Sequence, residues 1–399
     1  MRILFVIPWA LLVVASSFAQ PAQWYQGNLH THSYWSDGDD FPEMIMDWYQ
    51  SHGYDFVALS DHNVLAAGEF WKLMPDTEDG RQSFEQYRAK FGEDWVVYKE
   101  NDEGRVEVKL KTLEEYRPRF EQKGEFLIIQ AEEITDQYGD KPIHMNATNV
   151  QELIKPRGGQ SVTEAIQNNL DQVYAQRERT GQPMFPHLNH PNFGWAITVE
   201  DMQPLRGERF FEVYNGHPLV HNYGDSLHLG TEAMWDQLLI HYLDEGKPLL
   251  YGLATDDAHN YQAYDGEHSN PGRGWVMVRA TELSPAALIE AMERGDFYAS
   301  TGVTLKDVRL DGKTLTVQVA ADEGVTYSIQ FWGAKQGENE GQLLKEVTGS
   351  QGEYKLQGDD LYVRAKVISS QLQENPFGEG DTEVAWTQPV VLSDASSQP

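Results

Sequence analysis

His30-Thr31-His32, followed by Ser36-Asp37-Gly38 and then by Ser60-Asp61-His62-Asn63, places imidazoles and carboxylates in two tight groups near the start of the chain. Side chains of an extended strand alternate with a period of two, so His30 and His32 leave the backbone on the same side. Such a pair can chelate one cation. A histidine-rich surface loop would read the same over this stretch alone, so the remaining ligand-type residues decide.

They fall in three further groups: Glu132-Glu133-Ile134-Thr135 with His144, His187-Leu188-Asn189-His190-Pro191, and Thr255-Asp256-Asp257-Ala258-His259. Asn215-Gly216-His217 is a smaller group of the same kind. Nearly every group directly follows a short apolar run, at 56–59, 127–129, 184–186, 211–214 and 249–254. Runs of this length, bounded by polar residues, read as buried parallel strands. Amphipathic segments at 41–52, 162–180 and 231–245 lie between them and read as helices. Strand-then-helix repetition from 28 to about 300 predicts a parallel β/α architecture of barrel type. In such a fold the downstream ends of the strands converge on one face, which would gather all these residues into one site.

In this order the motifs resemble the polymerase and histidinol phosphatase (PHP) family of metal-dependent phosphoesterases. The matching pieces are His30-x-His32 with Ser36-Asp37-Gly38, Ser60-Asp61-His62, Glu133-Ile134-Thr135 with His144, His190-Pro191, and Asp257-Ala258-His259, over about residues 27–302. The resemblance implies an α/β fold, a distorted (β/α)7 barrel, with a trinuclear site of divalent ions. Carried over by position, His30, His32, Glu133 and Asp257 would hold one ion. Glu133 would bridge to a second, completed by His144 and His190, while Asp37, His62 and His259 would hold the third. Two departures leave alternatives open. Glu132 stands where the family has an apolar residue, so either glutamate could bridge, and His187 could ligate in place of His190.

Imidazole and carboxylate donors suit zinc, manganese or iron, and cations offset the repulsion among clustered carboxylates. Closely spaced ions lower the pKa of a bridging water and clamp phosphoryl oxygens during in-line attack. His187 and His217 are candidates to protonate the leaving group, each with an equally open structural role. Arg273, in the glycine-rich Asn270-Pro271-Gly272-Arg273-Gly274-Trp275, is the candidate phosphate contact, since guanidinium pairs with phosphate through two parallel hydrogen bonds. Tyr34, Trp35, Trp195 and Tyr214 could line an organic pocket or simply pack in a core. The expected function is hydrolysis of a small phosphomonoester or short phosphodiester by metal-activated hydroxide. A metal-dependent amide or lactone hydrolase is the alternative enzyme, and a non-catalytic cell-surface binding module the alternative class.

Composition narrows the setting. Across 399 residues the formal charge is -31, which disfavours long nucleic acid and anionic membrane as partners. There is no cysteine, so disulfides, zinc-thiolate sites and a cysteine nucleophile are excluded. Arg2, an apolar run over 3–15 and Ser17-x-Ala19 read as a secretory signal peptide over 1–19, giving a periplasmic or secreted protein with no membrane segment in its mature form. The expected hydrolase domain covers 20–302, with an insertion at 66–124 that holds a helix at 82–91, a hairpin at 95–110 and a second helix from Thr112. Beyond Gly302, short strands separated by turn signals such as Asp311-Gly312 and Gly349-Ser350 predict a β-sandwich over 303–392, before a polar tail at 393–399. No histidine follows His268, so that region adds no imidazole ligand. The sequence sets no oligomeric state.

Overall fold

Apolar runs that end in ligand-type residues become strands of one large mixed sheet. The computed structural model describes residues 21–392, so the expected signal peptide (1–19) and tail (393–399) lie outside the described residues. Among those residues the sheet has 13 strands. From one edge they run Tyr251–Thr255, Phe210–Asn215, Phe185–Leu188, Lys141–Thr148, Leu127–Tyr138, Phe56–Leu59 and Gln23–Asn28. They continue through Trp275–Ala280, Phe297–Ser300, Thr382–Thr387, Asp360–Leu372, Tyr327–Lys335 and Gln342–Thr348.

The expected closed parallel barrel is corrected on two counts. The sheet is mixed, because Lys141–Thr148 pairs antiparallel with both of its neighbours and Trp275–Ala280 pairs antiparallel with Gln23–Asn28. The sheet is also open, since no strand ladder joins Tyr251–Thr255 back to Gln23–Asn28. The two flanks meet instead through one isolated parallel bridge, Thr31 to Ala258, where His32 N–H donates to Ala258 O and Asp257 N–H to His30 O (2.9 Å each). Short apolar runs do not encode strand direction, which is why the hairpin of Leu127–Tyr138 and Lys141–Thr148 was not anticipated.

Helices cover this sheet where the sequence is amphipathic. Val162–Thr180 starts at a Ser161 cap whose hydroxyl accepts from Glu164 N–H, and ends at Gly181, which supplies a left-handed φ of 70°. Its buried Val162, Ala165, Ile166, Leu170 and Val173 recur at helical spacing. Thr231–Asp244 buries Met234, Trp235, Leu238 and Leu239 beside Phe211, Val213 and Tyr214 of the sheet. No helix of the described residues is long and apolar enough to cross a membrane.

The 66–124 segment forms a three-stranded antiparallel sheet, with Val106–Lys109 between Trp71–Leu73 and Tyr98–Glu100, plus helices Glu78–Phe91 and Leu113–Phe120. It packs on Tyr34, Trp35 and Phe41, the loop that carries Asp37. Beyond Gly302, a small sheet of Leu305–Asp311, Thr314–Val319 and Gln351–Lys355 faces the tail end of the large sheet. Leu305, Leu315, Val317, Ile329, Phe331, Val363 and Val367 fill the space between.

Candidate metal centre

Strand ends aim His30, His32, His62, His190, Asp257 and His259, while Glu133 and His144 project from the hairpin itself and Asp37 from a turn. The Gln23–Asn28 strand runs out at His30-Thr31-His32, and the Thr31–Ala258 bridge sets this pair beside Asp257 and His259. A second isolated bridge joins His62 to Glu133. On the hairpin, Thr135 faces His144, and Leu188 hands the chain to Asn189 and His190. Two turns need left-handed backbone at non-glycine residues, Asn63 (φ 51°) and Asp257 (φ 49°). Asn63 compensates with its side-chain amide, which accepts from Thr135 N–H and donates to Thr135 O (3.0 Å each).

All nine residues expected to ligate metal come together. The His30 Nε2 atom lies 3.3 Å from Glu133 Oε2 and 3.1 Å from Asp257 Oδ1, and His32 Nε2 lies 3.2 Å from the same two oxygens. His62 Nδ1 approaches Glu133 Oε2 at 2.9 Å, while His144 Nδ1 and His190 Nε2 approach Glu133 Oε1 at 3.0 and 3.6 Å. Asp37 faces His259 Nε2 (3.4 Å) and His62 Nε2 (3.5 Å). His30, His32, Glu133 and Asp257 are buried, whereas the Asp37 side chain is 58% exposed, so the centre opens on the Asp37 side.

The two glutamates separate by strand alternation. Glu133 points into the cluster, while Glu132 turns to the opposite face, accepts from Ile154 N–H (2.6 Å) and is raised by burial to about 8. His190 likewise faces Glu133 and Asp257, whereas His187 is buried behind His30, 3.5 Å from Glu212 Oε1. A leaving group at the open side cannot meet His187 there, so its expected catalytic role is not supported by its position. His217 stands at the rim, its ring 5.6 Å from that of His259. Its Nδ1 accepts from Leu219 N–H (3.1 Å), which puts the proton of the neutral ring on Nε2. Burial lowers His217 to about 4.

Arg273 corrects the phosphate expectation. It is 1% exposed, and its guanidinium donates to Asn375 O, Gly216 O, His268 O, Asp265 O and Asn270 Oδ1. Those five bonds use all five of its N–H groups, leaving none for a substrate. Tyr34, Trp35 and Tyr214 are core residues. Trp195 and Tyr214 each line a separate cavity, and Trp195 stacks with both His221 and His228 at 4.3 and 4.1 Å.

Glu212 is a residue of the site that the sequence reading does not single out, while Asn189 and Asn215 belong to groups expected there but without an assigned role. Glu212 Oε1 sits 2.7 Å from His30 Nδ1 and also accepts from Thr255 Oγ1 (2.8 Å). Its Oε2 accepts from His190 N–H and Asn215 Nδ2 (2.8 Å each). With Nδ1 of His30 donating to Glu212, the Nε2 lone pair is free to face the cluster. Asn189 donates to Glu133 Oε1 (2.8 Å), and Asn215 to Asp257 Oδ2 (3.1 Å). A charge at 212 inside the apolar run 211–214 was the available signal.

The donor set fits cations. His30 Nε2, His32 Nδ1, Glu133 Oε2 and His144 Nδ1 are buried atoms without a hydrogen-bond partner, although oxygen or nitrogen atoms of the cluster lie close by. Groups His30/His32/Glu133, His30/His190/Asp257, His62/Glu133/His144 and His32/Asp37/His62/His259 each keep their ligand atoms within 4.8 Å of one another. Burial raises the Glu133 carboxyl, but the surrounding His62, His30 and His144 outweigh it and hold it well below the usual range. Burial, with His259 and His62 nearby, lowers His32 to about 3, so its ring is neutral and competent to ligate.

No protein-family model and no curated protein matches the chain. Among solved structures, a two-domain protein of Bacteroides vulgatus containing a predicted PHP-like metal-dependent phosphoesterase is 16% identical, with a TM-score of 0.39, over 92% of this chain and 96% of that one. A candidate metal-dependent phosphoesterase of Bifidobacterium adolescentis is 12% identical over 58% of this chain and 87% of that one (TM-score 0.27). An amidohydrolase of Chromobacterium violaceum with bound sulfate and no metal is 13% identical over 59% and 87% (TM-score 0.29).

Proposed function

We propose that this protein is an exported metal-dependent phosphoesterase that hydrolyses a small phosphomonoester or short phosphodiester at a trinuclear centre. The observation that carries the reading is Glu133, whose two oxygens have His30, His32, His62, His144 and His190 within 3.6 Å. A carboxylate shared among so many imidazoles has the donor chemistry of a bridging ligand. The ordered motifs from His30-x-His32 to Asp257-Ala258-His259 support the same reading.

Divalent ions held there would act as Lewis acids toward water and phosphoryl oxygens. The chain's own residues do the rest. Glu212, Asn189 and Asn215 orient His30, Glu133 and Asp257, so the ligands are fixed before substrate arrives. His217, whose neutral ring carries its proton on Nε2, would donate a hydrogen bond from the rim to a phosphoryl or leaving oxygen. Export rests on the Arg2, 3–15 and Ser17-x-Ala19 pattern.

Two measurements on purified protein test this: metal content by mass spectrometry, and phosphate release from an aryl phosphate. At least two ions per chain and phosphate release are expected, with both failing in Glu133→Gln. Retention of the ions should weaken as pH falls through the imidazole range, because only the neutral ring ligates. Fewer than two ions per chain overturns the centre, and amide or lactone hydrolysis without phosphate release moves the protein to that chemistry.

A further inference from the structure

Asp37 is the most exposed candidate ligand, and it rides on a tight turn in which Ser36 N–H and Gly38 N–H both donate to Ser33 O (3.0 Å each). Asp61 pins the inner side of that turn. Its carboxylate accepts from Ser33 N–H (2.8 Å), Ser33 Oγ (2.7 Å) and Ser36 Oγ (2.6 Å). On the outer side stands Lys72, in the middle of the Trp71–Leu73 strand of the 66–124 insertion. Its ammonium donates to Ser36 O (3.0 Å) and lies 5.1 Å over the Tyr34 ring. Trp35 reinforces the same junction, donating from Nε1 to Lys111 O (3.2 Å) and stacking on Phe70.

The inner donor groups need none of this, because His30, His32 and Asp257 are buried at strand ends, Glu133 is buried within a strand, and Glu212, Asn189 and Asn215 hold them. The Asp37, His62 and His259 group instead depends on a turn that the insertion grips by a charged contact to its backbone. Resting on the metal-centre reading, we propose that Lys72 is a positioning residue for Asp37, through which the insertion sets the affinity of the outermost cation position. The ammonium polarises the Ser36 carbonyl and fixes the peptide that presents Asp37, and its charge also favours an anionic substrate at the mouth.

The test is a metal titration by calorimetry on the full-length wild type, Lys72→Met and Lys72→Arg, using manganese and zinc alone. Wild type should show an outer class of ions distinct from a tighter inner class. In Lys72→Met the outer class should weaken about 10- to 100-fold, the range for loss of a partner that orients a ligand. The inner class and the melting temperature should stay as in wild type, and Lys72→Arg should restore most of the outer affinity. Unchanged titration of Lys72→Met overturns the proposal while leaving the metal centre standing. Equal weakening of both classes, or loss of folding, also overturns it, because Lys72 would then act on the whole structure. Absence of metal from wild type instead defeats the underlying reading.

Discussion

Glu212 stands behind the candidate ligands and shows how much of such a site lies outside its donor atoms. Burial raises this carboxyl, yet His30, His187 and His190 together hold it below the usual range, so it is an anion in a site without solvent. Its contact with His30 Nδ1 selects the tautomer whose Nε2 faces Glu133 and Asp257. Glu212→Gln keeps the shape and removes the charge. It should lower affinity for the inner ions about 10- to 100-fold with the fold retained, read by competition with a chelating dye and by circular dichroism. Affinity equal to wild type would reduce Glu212 to a packing residue. Asp256 marks the contrast within one motif. It accepts from Tyr49 (2.8 Å), Arg273 N–H (2.7 Å) and Gly274 N–H (2.9 Å), and so ties loops together while Asp257 faces the cluster.

At the scale of elements, the loops after the strands do two jobs that sequence alone does not separate. Some residues in them face the cluster, and others hold the loop in shape. Arg273 belongs to the second kind, since it knits the 265–270 loop, Gly216 and Asn375 through backbone carbonyls. Arg273→Lys removes the fork that reaches several acceptors at once. It should destabilise the protein by roughly 3 kcal/mol, because buried carbonyls lose their donors, and leave KM for an aryl phosphate within about two-fold. A large rise in KM at unchanged denaturation midpoint would restore the phosphate-contact role. The insertion makes contacts of both kinds: Tyr87 and Trp95 donate to Oε1 of the buried Glu43 (2.7 Å each), while Lys72 reaches the turn of Asp37.

Across the whole molecule, the residues beyond 302 are continuous with the sheet that carries the site. Phe297–Ser300 pairs with Thr382–Thr387, and a buried ion pair ties the next strand to helix Thr231–Asp244. Arg364 donates to both oxygens of Asp236 (2.8 Å each), and Tyr362 adds a third bond (2.7 Å). Removing Asp236 leaves the buried Arg364 guanidinium with only the longer contact to Glu232 (3.6 Å). Asp236→Ala should therefore cost about 3–5 kcal/mol in urea unfolding. If the C-terminal sheets were an independent module, the loss would appear as a separate early transition and the metal centre would survive it. A single shifted transition is the outcome expected of one cooperative sheet.

The sequence by itself determined the candidate ligand types and their order, because in a chain without thiolates imidazole and carboxylate are the side chains best suited to hold a transition metal. It also carried the helices at 42–51, 162–180 and 231–244, whose amphipathic spacing is local information. Strand alternation, once the hairpin is seen, separates Glu133 from Glu132. Only the tertiary structure decided which carboxylate backs His30, that Arg273 is internally consumed, that the sheet is mixed and open, and that Lys72 meets the Asp37 turn. Each of these joins residues far apart in the chain: 182 positions for His30 and Glu212, 102 for Arg273 and Asn375, 36 for Lys72 and Ser36. Local pattern records which face of an element is buried. It does not record what that face meets, because that is set by packing across the whole sheet.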